Sequence, residues 1–61
     1  MTKYVYVKTF GTFANNIECN EFHFHDVKID SNGSFLTIFD KNGALAFRCH
    51  INDIAKFMKE D

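Results

Sequence analysis

Five residues are the cysteines and histidines best suited to bind a transition metal or serve as nucleophile and base: Cys19, His23, His25, Cys49 and His50. His23 and His25 are two apart. On a strand they point to one side with Cα atoms roughly 6.6 Å apart, a span two ligands can straddle. Cys19 is the nearer of the two cysteines, so His23, His25 and Cys19 form the candidate metal set. The set is weak. There is no Cys-x-x-Cys pair, the spacing that makes a zinc site specific, and Cys49 and His50 face opposite ways if they sit on a strand. The plainer reading makes His23 and His25 solvent-facing partners of buried Phe22 and Phe24. No metal and no cofactor is expected.

A nucleophile needs a base within hydrogen-bond reach. His25-Asp26 and Cys49-His50 are sequence neighbours, but strand neighbours diverge in direction, so adjacency does not make a dyad. A chain of 61 residues also has little room for the cleft of about 300 Å³ or more that holds a small substrate. No catalytic residue and no enzyme activity are expected.

These residues must be positioned by a small fold. Composition is 46% hydrophobic and 25% charged, which is globular, and 16% aromatic with eight Phe, which favours strands. Net charge is −1 with no basic stripe, so the electrostatic term that drives nucleic-acid binding is missing. No stretch approaches the ~20 apolar residues of a membrane span, nor does Met1-Thr2-Lys3-Tyr4-Val5 open like a signal peptide. The expected location is the cytoplasm, where Cys19 and Cys49 stay reduced.

Two segments share the pattern Asp-x-Asn-Gly: Asp30-Ser31-Asn32-Gly33 and Asp40-Lys41-Asn42-Gly43. Asp at the first position of a type I turn and a left-handed Gly at the fourth predict a three-residue hairpin loop with a glycine bulge. Asn-Gly alone permits a two-residue type I′ turn instead. The flanking runs are short, β-branched or aromatic, and predict strands over about 2–10, 21–30, 34–40 and 44–50. Gly11 to Asn16 reads as a loop. Tyr4 and Tyr6 fall on one side of the first strand, Val5 and Val7 on the other. In the second strand Phe22 and Phe24 have one parity and Val27 and Ile29 the other, so a bulge near His25-Asp26 is needed to unite them. Asn52 as N-cap, with Ile54, Phe57 and Met58 at i, i+3, i+4, predicts a helix over about 53–59. The expected architecture is mainly β with a short C-terminal helix. It is a single antiparallel meander of four to five strands, curled or closed into a small barrel, with the helix on one face or end.

The hairpin register decides which face is buried. Three-residue loops place Asp30 opposite Ser34 and Asp40 opposite Ala44, grouping Val27, Ile29, Phe35, Thr37, Phe39, Leu45, Phe47 and Cys49. Two-residue turns group Leu36 and Ile38 with Val27, Ile29 and Phe47 instead. In either register the middle strand is apolar on both sides, where a half-exposed strand should alternate. A chain this small also needs a staple such as a partner subunit. The expected role is therefore a non-enzymatic protein-binding module or accessory, regulatory protein that binds another protein or itself as a homodimer, using an apolar sheet face drawn from Tyr4, Tyr6, Phe35, Leu36, Ile38 and Phe39. The alternative is a single-stranded nucleic-acid-binding module with bases stacked on the aromatic face, disfavoured because Asp26, Asp30 and Asp40 flank Lys28 and Arg48.

Overall fold

In a computed structural model, described for residues 1–13 and 16–61 and for side chains outside 12–19, the chain forms five strands. They are β1 (Thr2–Phe13), β2 (Asn16–Asn32), β3 (Phe35–Phe39), β4 (Leu45–His50) and β5 (Ile54–Glu60), with a 3-10 turn at Ile51–Asp53. The sheet order is β4-β3-β2-β1-β5, all pairings are antiparallel, and β4 and β5 form the two open edges. The predicted loop shrinks. Gly11 to Phe13 and Asn16 belong to strands, and only 14 and 15 lie outside the described residues.

β2 is shared by two halves of the sheet. Its first part pairs with β1 as far as Thr2↔Val27, and its last five residues pair with β3 from Lys28↔Phe39 to Asn32↔Phe35. Between these parts Asp26 has φ 55, the single left-handed non-glycine residue among those described. Short polar residues such as Asp visit this conformation at modest cost. The expected parity switch is met here: Val27 is buried, and Phe22, Phe24 and Ile29 pack against the same core. No residue is inserted to achieve it. Thr2↔Val27 and Tyr4↔His25 keep one register, and β1 changes parity at the same level, with Thr2, Val5 and Val7 all buried.

The two Asn-Gly turns differ. The second is the predicted three-residue loop: Asp40 N–H donates to the Ala44 carbonyl at 2.8 Å, and Gly43 N–H to the Asp40 carbonyl at 3.0 Å. Gly43 has φ 85, and the Asp40 carboxylate accepts from the N–H groups of Asn42 and Ala44, each at 2.9 Å. Asp40→Ala removes both acceptor contacts and should cost about 1 kcal/mol, lowering the melting temperature by about 4–8 °C, whereas Asp40→Asn should restore most of it. Thermal melts of the two variants check this.

The first turn departs from the preferred register. Asn32 pairs with Phe35, leaving Gly33-Ser34 as a two-residue turn whose first position alone is left-handed, the II′ arrangement. Asp30 faces Thr37, not Ser34. The hydrophobic pattern overrides the local turn preference, because this register sets Ile29 opposite Ile38. On the other flank of β3 the register slips between Ile38 and Phe39, with Ile38↔Phe47 and Phe39↔Leu45, so Ala46 bulges. That bulge turns Phe47 and Cys49 inward while the loop beyond it stays in its three-residue form.

The core is therefore Val5, Val7, Val27, Leu36 and Ile38, with Phe47 bridging the halves at ring distances of 4.8 Å from Phe22 and 5.5 Å from Phe24. Phe35 and Phe39 belong to the outer face.

The predicted C-terminal helix is not formed; among the described residues there is no α-helix. Residues 54–60 pair with β1 from Thr9↔Ile54 to Tyr4↔Glu60, slipping between Lys8 and Thr9 so that Ala55 bulges. The bulge sets Ile54 and Phe57 on one side although they are three apart, the spacing that reads as helical. Strand pairing wins because it satisfies the second row of β1 backbone groups, while two helical turns ending in Glu60-Asp61 gain too little alone.

Candidate functional site

Three surfaces are chemically distinctive. The first lies outside β1 and β2, where Tyr4↔His25 and Tyr6↔His23 are cross-strand pairs. The Tyr4 phenol lies 2.7 Å from His23 Nδ1; with the phenol donating, the imidazole proton sits on Nε2. Tyr4 also packs on the His25 ring at 5.2 Å, and Tyr6 on His23 at 5.1 Å. These rings occupy one another. His23 and His25 thus share a face, as the two-residue spacing requires, but the Cys19 side chain lies outside the described residues. Among the described residues no group of three or more His, Cys, Asp or Glu could hold a metal ion.

The second surface is outside β3 and β4. The Arg48 guanidinium lies 4.3 Å above the Phe35 ring, and His50 meets Phe35 edge-on at 5.4 Å. His50 Nδ1 accepts the Asn52 N–H at 3.1 Å, capping the 3-10 turn. That turn is anchored to the first hairpin by Ile51 N–H donating to the Ser34 carbonyl at 2.8 Å.

Cys49, pointing inward beside His50, is not an activated nucleophile. Burial first, and then the nearby Asp53 carboxylate, push its thiol above the ordinary value of about 8.5. Both causes penalise the thiolate. The native state therefore holds the proton more tightly than the unfolded chain, and this contribution to stability is complete below the unfolded thiol's pKa. It is lost as pH rises through the folded one. At pH 8, iodoacetamide should modify Cys49 more slowly in the folded protein than in urea, as mass spectrometry would show; equal rates would contradict the shift.

The third surface is a cleft of about 460 Å³ at the open end of the core. Ile29 and Leu36 floor it, Ile51, Ile54 and Phe57 wall it, and Lys59 stands among them. Ile51 is 40% exposed and Phe57 38%. Its volume exceeds what the chain length led us to expect.

The expected docking set is divided by these findings. Tyr4 and Tyr6 lie on the outer face of β1, Phe35 and Phe39 on that of β3. Leu36 and Ile38 are 5% and 0% exposed and fill the core, so they offer no docking surface. Sequence reasoning missed Ile51, Ile54, Phe57 and Lys59 as a group, because it placed them around a helix.

No family model, curated protein or solved structure matches this chain. No helix of the described residues is long and apolar enough to cross a membrane.

Proposed function

We propose that this chain is a small protein-binding module that works without catalysis and whose partner is a second copy of itself. The observation that supports this reading is the unfinished closure of the apolar surface. Among the described residues, Val5, Val7, Val27, Leu36 and Ile38 are enclosed, while Phe10, Phe35, Leu45, Ile51, Phe57 and Met58 stand 38–62% exposed. A domain of this size gains little from its own core, and covering exposed apolar side chains with another subunit adds the missing stabilisation. Pairing of open sheet edges would add backbone hydrogen bonds as well. Light scattering behind size exclusion, run from low to high micromolar concentration, tests the reading. A mass rising to twice 7.1 kDa is expected. A strict monomer at high micromolar concentration overturns it.

A further inference from the structure

We infer that the dimer forms by antiparallel pairing of β5 with its own copy about a two-fold axis at Met58. This rests on the homodimer reading and specifies its seam. Among the described residues β5 pairs only with β1, so its other edge is open along Ile54–Glu60. The edge carries a patterned stripe. Lys56, Met58 and Glu60 face outward, opposite Lys8, Tyr6 and Tyr4 of β1, and all three are exposed. Cation, apolar, anion at intervals of two form a self-complementary series: turned end for end, each lysine meets a glutamate.

Few registers are available. Residues directly opposed in an antiparallel ladder share one hydrogen-bonding orientation, so a two-fold axis must pass through a residue and not between two. An axis at Lys56 or Lys59 sets a lysine against its own copy, which is destabilising. An axis at Phe57 leaves Lys56 opposite Met58 and no charges matched. The axis at Met58 alone gives two Lys56–Glu60 pairs, with Met58 against Met58 between them. On the inner side it sets Phe57 opposite Lys59 twice, and both residues already line the cleft. Charges on an edge strand ordinarily repel any added strand; here they favour the Met58 register, in which Lys56 meets Glu60. The other open edge, β4, holds Arg48 and no acidic residue, so it offers no such self-complementary pairs.

The test uses the full chain with Cys19 and Cys49 replaced by Ala. Met58→Cys should form a disulfide dimer under mild oxidation, since directly opposed Cα atoms lie about 4.5–5.5 Å apart, within disulfide range. Phe57→Cys should not cross-link to itself, but should cross-link to Lys59→Cys when the two proteins are mixed. In the natural background Lys56→Glu should weaken dimerisation about tenfold, and the swap Lys56→Glu with Glu60→Lys should restore it. Dimers without Met58→Cys cross-linking and indifferent to Lys56→Glu would overturn this seam while leaving the homodimer standing. A monomer of the unmodified chain at high micromolar concentration would overturn both.

Discussion

Ile38→Ala should remove a large share of the protein's stability, while Phe35→Ala, three residues away, should be nearly silent. Ile38 is fully enclosed, with Ile29 and Phe47 opposite it on either side. Cutting it to Ala removes buried methyl groups and leaves a cavity, a change that costs about 2–5 kcal/mol. A 61-residue domain has only about 3–9 kcal/mol of stability to lose. Phe35 is 40% exposed, and its specific contacts are the edge of His50 and the stacked Arg48, the latter worth about 0.5–1 kcal/mol at such a site. Urea titrations of both variants read the difference directly. Equal midpoints, or a larger loss at Phe35, would mean that the other hairpin register is the true one.

Asp26→Val should destabilise by about 1–2 kcal/mol or more, although valine is the better strand former. The reason is the backbone. At φ 55 a β-branched side chain collides with its own carbonyls, whereas Asp tolerates the geometry and Gly accepts it freely. Asp26→Gly should therefore melt close to the natural chain, and the order Gly, Asp, Val is the expected result. Were β2 a regular strand through this point, Val would rank first. The substitution also probes the join between the halves of the sheet, since Val27 enters the core immediately beyond it.

Much of this fold is legible in the residues. Short runs of Val, Ile and Phe between Asn-Gly turns predict the meander, and Asp40 through Ala44 adopt the loop their types prescribe. The parity conflict between Phe24 and Val27 locates the left-handed residue to within one position. Other features are hidden for a common reason. A single bulged residue converts a spacing of two into a spacing of three. At Ala55 this makes a strand look like a helix, and at Ala46 it reverses which face of β4 is buried. Both bulges follow from what the neighbouring strand requires, which no local pattern contains. The spacing of two puts Tyr4 with Tyr6 and His23 with His25 on one face each, but the cleft depends on β5, and β5 on the Ala55 bulge.

The pairing of β5 with β1 makes neighbours of the first and last strands, with Tyr4 beside Glu60. The two chain ends therefore meet at one corner of the sheet, and the backbone follows a nearly closed loop. Where that loop is cut matters little to the contacts within it. A short linker from Asp61 to Met1, with new ends opened between Gly33 and Ser34, would preserve every strand pair. It would also make the β5–β1 contact local in sequence, so this permuted chain should close that pair earlier in folding than the natural one does.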